Sequence, residues 1–229
     1  MEYRNELKYL CTSSYFEILK IRLKSIMELD KHLDEDMLYN IRSIYFDDYD
    51  NSCFLENEAG LNNRMKVRIR IYNRSDSIIK LELKYKLNGM TKKESCSISR
   101  DLCQRLMNGE IITREDCGED KVLNILYLHM HMKMLKPKVI VEYDRTVFIN
   151  KSGNVRITFD QNIRASKHID RFFDENLFSI PILDKNQHVL EVKYDEMLPD
   201  YIASALELGN LSQTAFSKYY LSRIRVGGV

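Results

Sequence analysis

Two short stretches hold the residues best suited to grip an anion. Residues 65–72 read MKVRIRIY, and residues 79–86 read IKLELKYK. In the first, Lys66, Arg68 and Arg70 alternate with Met65, Val67, Ile69 and Ile71. In the second, Lys80, Glu82, Lys84 and Lys86 alternate with Ile79, Leu81, Leu83 and Tyr85. Period-two alternation marks a β-strand with two unlike faces. Same-face neighbours on a strand lie about 7 Å apart, so two cations there repel by about 2 kcal/mol at an effective dielectric of about 20. Charged residues on one wet strand face are ordinary. An unbroken cationic row is easier to explain if a polyanion neutralises it.

The pattern recurs. YRNELKYL places Arg4, Glu6 and Lys8 together, NVRITFD does the same for Arg156, Thr158 and Asp160, and HVLEVKYDE for Val189, Glu191 and Lys193. Five strands thus gather charge on one face, and in four of them a carboxylate shares that face with a cation. The opposite faces carry Ile69, Ile71, Leu81, Leu83, Val155, Ile157, Leu190 and Val192, which need cover. An inside-out barrel meets both needs, with helices over the apolar side and charge around a central hollow. A barrel of about eight strands leaves an interior wide enough for side chains and a small ligand.

The elements that must position these residues are legible along the chain. A helix is predicted from Ser13 or Ser14, as its cap, through YFEILKIRLKSIMEL, followed by the strand NIRSIYF and the turn DDYDN. After the two stretches quoted first comes a strand at SCSIS. The helices RDLCQRLMNG, with Gly109 at its C-terminal end, and KVLNILYLHMHMKML follow. Strands return as KVIVEYDRTVFI, NVRITFD and HVLEVKYDE, and LPDYIASALELG and SQTAFSKYYLSRI read as two last helices, the second capped by Ser212. Strands dominate both halves, so the class is α+β on antiparallel sheet.

The bulk numbers set limits. The 229 residues, with 8 Gly and 3 Pro and no linker-like tract, read as one domain spanning 1–229. A net charge of +1 excludes a global field as the recruiter of partners, so any basic site is local. No run approaches the roughly 20 apolar residues of a membrane helix and no secretory signal is evident, so direct membrane insertion is not expected. Five cysteines without zinc spacing fit free thiols in a reducing cytosol, and the expected location is cytoplasmic. DDYDN has Cys53 where a calcium loop needs glycine, His129 and His131 lie on different helix faces, and the 14 tyrosines show no RNA-stacking arrangement. A nucleic-acid partner is not expected.

Read together, the motifs RNELKY (4–9), SIYFD (43–47), KVRIR (66–70), LELK (81–84), YDRTVF (143–148), VRITFD (155–160), LEVKYD (190–195) and FSKY (216–219) resemble the VTC domain. This is the polyphosphate polymerase branch of the triphosphate tunnel metalloenzyme, or CYTH-like, superfamily. The resemblance implies an eight-stranded antiparallel β-barrel tunnel with a charged interior and helices packed outside. It implies phosphate binding by Lys8, Arg68, Arg70, Lys84, Arg145, Arg156, Lys193 and Lys218, with Lys66 and Lys93 as further members. It also implies a metal-holding Glu191, supported by Glu6 and Glu82, and Mn²⁺ or Mg²⁺ as the ion. Hydrolytic branches begin ExExK where this chain has Arg4, Glu6 and Lys8, and RxExK looks like the polymerase branch.

The expected reaction moves the terminal phosphoryl group of ATP onto a growing polyphosphate chain, with Arg68, Arg70, Lys84, Arg156 and Glu191 as the catalytic set. Phosphoryl transfer needs positioning and charge neutralisation more than covalent help, so no side-chain nucleophile is required. A tunnel triphosphatase, with Glu6 or Glu82 as base for water, and a polyphosphate- or nucleotide-binding module without turnover are the alternatives.

Overall fold

A computed structural model describes residues 3–31, 38–208 and 211–227. Eight long strands form one antiparallel sheet: β1 (Asn5–Thr12), β3 (Tyr39–Asp47), β4 (Arg64–Tyr72), β5 (Ser75–Leu87), β6 (Met90–Ser97), β7 (Lys136–Asn150), β8 (Val155–Ser166) and β10 (Gln187–Tyr194). Two-residue strands β2 (Glu28–Leu29) and β9 (Ile180–Pro181) pair with β7 and β8. The long strands run in the order β1-β10-β8-β7-β3-β4-β5-β6. The sheet curls until its edges meet, where Arg4 and Thr91 exchange two backbone hydrogen bonds of 2.9 Å. Further along, the free edge of β1 pairs with another segment: Tyr9 bridges to Gln213, and the N–H of Thr214 donates to the carbonyl of Lys8. Residues 211–217 therefore run as a strap along the seam.

Two apolar cores cover the outside of this barrel. Ile44, Val67, Ile69, Ile71, Leu81 and Leu83 pack beneath α3 (Arg100–Met107) and α5 (Lys121–Lys133). Phe148, Ile157, Phe159, Leu190 and Val192 pack beneath α1 (Ser13–Lys24) and α6 (Asp200–Leu206). Each such side chain contributes about 1.5–3 kcal/mol by leaving water. Ile69 is completely buried, so Ile69→Ala is expected to cost about 2–5 kcal/mol in a chemical denaturation measurement.

A third core lies on the concave face, where Ile41, Tyr45, Val139, Val141, Tyr143 and Ile163 meet Phe216 and Tyr219. Here α7 (Lys218–Arg225) enters the barrel, so this helix, unlike those above, packs inside rather than outside. Buried Asp47 anchors it, accepting the Tyr219 hydroxyl and the backbone N–H groups of Cys53 and Phe54 at the start of α2 (Ser52–Glu58).

Local chemistry accounts for the boundaries. The Thr12 side chain, not Ser13 or Ser14, caps α1. That helix stops at Lys24 instead of reaching Leu29, because Glu28 and Leu29 pair with Ile149 and Phe148. The Ser217 side chain caps α7, replacing the expected Ser212, because residues 211–217 are engaged along β1 and not helical. Asp120 caps α5 by accepting from Val122 and Leu123, α4 (Arg114–Cys117) precedes it, and Gly109 follows α3 at φ 77°, as its position predicts. All five cysteines are free thiols. Among the described residues no helix is long and apolar enough to cross a membrane.

Candidate functional site: a cationic hollow

The hollow of the barrel is a cavity of about 1030 Å³. Lys8, Lys66, Arg68, Arg70, Lys84, Lys93, Arg145, Arg156, Lys193 and Lys218 all line it, as do Glu6 and Glu191. Alternation places the strand residues there, since their neighbours Val67, Ile69, Leu83, Ile157 and Val192 fill the outer cores, and Lys218 enters from the start of α7.

On the wall made by β1 and β10 the charges form a checkerboard. Glu6 stands opposite Lys193, and Lys8 opposite Glu191. Lys193 lies 2.5 Å from Glu191 and 3.3 Å from Glu6, while Lys8 lies 3.7 Å and 3.6 Å from the same two carboxylates. Burial alone would raise both carboxyl pKa values, but the surrounding lysines outweigh it and hold both below the usual range. Burial likewise pulls Lys8 down, and Glu6 and Glu191 reverse the effect.

The wall made by β4, β5 and β6 is different. Lys66, Lys84 and Lys93 stand directly opposite one another across the three strands, and Arg68 stands opposite Glu82. Glu82 accepts from Arg68 Nε at 2.6 Å and from Lys93 Nζ at 2.8 Å, with Arg70 Nη1 at 3.7 Å. Lys84 reaches across the hollow to Glu6 at 2.7 Å. Burial lowers the Lys84 pKa, Glu6 and Glu191 oppose it, and Lys8 and Lys193 add to it, leaving it at about 7. Lys66 is pushed well below the ordinary lysine value by burial and by Arg64, Lys8 and Lys84. Its hydrogen bonds go to Asn57 Oδ1 and Ser217 Oγ.

The third side is built by β7, β8 and α7. Asp160 takes both Arg145 Nε (2.6 Å) and Nη2 (2.7 Å) and also Lys218 Nζ (2.5 Å). Arg156 pairs with Asp30 at 3.2 Å. Three tyrosines, none of them singled out by sequence, turn their hydroxyls to the arginines: Tyr45 to Arg68, Tyr143 to Arg70 and Tyr39 to Arg156. Lys218 also stands 4.7 Å from the centre of the Tyr143 ring. The spacing of Tyr39, Ile41, Ser43 and Tyr45 on β3 carries that signal, but tyrosine reads equally as core. Arg4 lies at the seam, where it binds Asp195 at 2.7 Å and the carbonyl of Asn154.

The three acids named from sequence do not converge. Glu6 and Glu191 share Lys8 and Lys193, whereas Glu82 is enclosed by Arg68, Arg70 and Lys93 and does not line the cavity. Among the described residues no group of three His, Cys, Asp or Glu side chains is close enough to hold a metal. Glu6 and Glu191 are cavity-facing carboxylates held in the charged form, and one or two such oxygens together with phosphates suit a hard divalent cation. That pair fits a metal; Glu82 does not.

A curled eight-stranded antiparallel sheet around a cationic hollow is the architecture of a triphosphate tunnel. Residues 3–224 match the VTC domain, and the chain belongs to that family. Its fold is similar to that of a Hippeastrum protein provisionally named an adenylyl cyclase and reported to have a dominant triphosphatase activity. That protein shares 13% identity at a TM-score of 0.59, over 100% of this chain and 97% of the other. A protein from Bacillus halodurans provisionally named an adenylate cyclase is similar at 14% identity and a TM-score of 0.55, over 94% of each chain. No curated protein matches the chain at a significant level.

Proposed function

We propose that the chain is a metal-dependent polyphosphate polymerase, moving the terminal phosphoryl group of ATP onto the end of a polyphosphate chain inside the hollow. The observation that carries this reading is the state of the carboxylates. Each of Glu6, Glu82, Glu191 and Asp160 is held by two or more lysine or arginine groups and kept below the usual carboxyl range. Such groups are poor proton acceptors, and hydrolysis by water calls for a base. A phosphate-chain end is already an anion and needs none. The cavity cations outnumber these acids, so a polyanion finds unmatched positive charge.

In this reading Arg68, Arg70 and Arg156 grip phosphate oxygens with their planar forks, and Lys84, Lys193 and Lys218 add point charges. Lys8, Lys66, Lys93 and Arg145 complete the phosphate-binding set. Glu191 and Glu6 would hold Mn²⁺ or Mg²⁺, which supplies charge neutralisation on the phosphates when bound. The residues themselves align donor and acceptor and offset the charge that develops between them.

The similarity to a protein with triphosphatase activity favours one second reading, hydrolysis of triphosphate in the same hollow. Incubating purified protein with ATP and Mn²⁺ separates the two. A ladder of long chains on a gel supports synthesis, and orthophosphate without a ladder overturns it in favour of hydrolysis. Tight binding of tripolyphosphate with no product would identify a binding module instead.

A further inference from the structure

Glu82 is more buried than any of the cations around it, with a side chain 1% exposed. It faces inward on β5, yet Arg68, Arg70 and Lys93 stand between it and the cavity they line. The hydrogen bonds of the two arginines show what this does. Arg68 spends Nε on Glu82 and Nη1 on Tyr45. Arg70 spends Nε on Ser43 and Nη2 on Tyr143, with Nη1 turned toward Glu82. Each guanidinium thus commits Nε and one terminal N–H to protein and lines the hollow with terminal N–H donors to spare, since it carries five donors in a fixed fork. Without a buried anion these three neighbouring cations would repel one another and swing apart.

We propose that Glu82 is a positioning residue, a buried counter-ion that sets the direction in which Arg68, Arg70 and Lys93 present their donors to phosphate, and not a metal ligand or a base. The inference rests on phosphates occupying the hollow, but not on whether they are polymerised or hydrolysed.

The test turns on sign. Glu82→Gln removes one negative charge from a site that binds an anion, so charge alone makes tripolyphosphate bind more tightly. Positioning makes it bind more weakly. Affinity is measured by calorimetry in EDTA, alongside Tm and the Mn²⁺ dependence of turnover. The expected result is about tenfold weaker binding in EDTA, the scale of losing a charged hydrogen-bond partner, with an unchanged Mn²⁺ requirement. Tighter or equal binding in EDTA overturns the proposal, and a changed Mn²⁺ requirement with equal binding identifies a metal ligand instead. Where Glu82→Gln fails to fold, Glu82→Asp carries the test. It keeps the charge but shortens the reach to Arg68 and Lys93, and wild-type affinity in that variant overturns positioning. Weaker binding by Glu82→Gln beside a wild-type protein that makes no polyphosphate leaves positioning intact and removes the polymerase reading.

Discussion

Two walls of the hollow are built from the same residue types and differ in how charge is matched. On β1 and β10, Lys8 and Lys193 meet Glu6 and Glu191 in alternation, two against two. On β4, β5 and β6, Lys66, Arg68, Arg70, Lys84 and Lys93 share their wall with one carboxylate, Glu82, and Lys84 borrows a second, Glu6, from the first wall. The first wall carries its own counter-charge, and the second is left with an excess of positive charge. A count of cavity cations would not reveal this, because Lys8 and Lys193 line the hollow just as Lys84 does. The register of the strands, which decides who stands opposite whom, separates a wall of alternating charge from a wall of largely one sign.

The largest test of this contrast is Arg68→Ala on the unmatched wall. Removing one clamp on a transferring phosphoryl group costs about 2–4 kcal/mol of transition-state stabilisation, so turnover should fall about a hundredfold or more. Stability should fall as well, because buried Glu82 loses its nearest ion-pair partner; steady-state kinetics and a melting curve check both. Survival of activity would mean that phosphate sits elsewhere. On the matched wall, Glu191→Gln should leave tripolyphosphate binding in EDTA as strong as before or stronger. The Mn²⁺ needed for half-maximal turnover should rise by about tenfold, comparable to the loss of a metal-site group, as a metal titration reads out.

Acidity gives a graded effect. Lys84 is drawn down to about 7 by burial, with Lys8 and Lys193 adding to it. Folded Lys84 therefore sheds its proton above about pH 7, while the unfolded chain keeps it toward the ordinary lysine value. In that window the unfolded state binds more protons, and the stability of the free protein rises with pH. Anion binding runs the other way, because phosphate favours protonated Lys84. The Kd for tripolyphosphate should rise above pH 7 by at most about tenfold per pH unit, with proton uptake detectable by calorimetry in two buffers. Lys84→Met should flatten the profile. The smallest effect is expected from Tyr45→Phe, which deletes the hydroxyl that Arg68 Nη1 donates to. Loss of one such bond is worth about 1 kcal/mol, roughly a fivefold loss of tripolyphosphate affinity.

Much of the hollow was legible from alternation, since Lys66, Arg68 and Arg70 had to share a face opposite Val67, Ile69 and Ile71. The fold class, the outer cores and the cavity-facing cations of β1, β4, β5, β8 and β10 follow from that rule, whereas Arg145 and Lys218 rested on the motif resemblance. What it leaves out depends on partners far along the chain. The enclosure of Glu82 needs Lys93 on the next strand, and the pairing of Asp160 with Lys218 joins residues 58 apart. The inward seat of α7 is also hidden, because the tyrosines and valines of the third core fit an outer or an inner face equally well. The Ser212 cap failed for a related reason: the residues after it are claimed by β1.

Those same residues govern when the hollow can exist at all. Strand β1 has its partners at Gln187–Tyr194 and Gln213, and Lys8 Nζ donates to the carbonyl of Phe216, 208 positions later. A ribosome delivers this strand long before the strand it pairs with along its whole length. Contacts of such high sequence separation form late. The emerging chain therefore carries an open, unfinished sheet, and the enclosure that concentrates its positive charge comes into being only when synthesis has passed the strap.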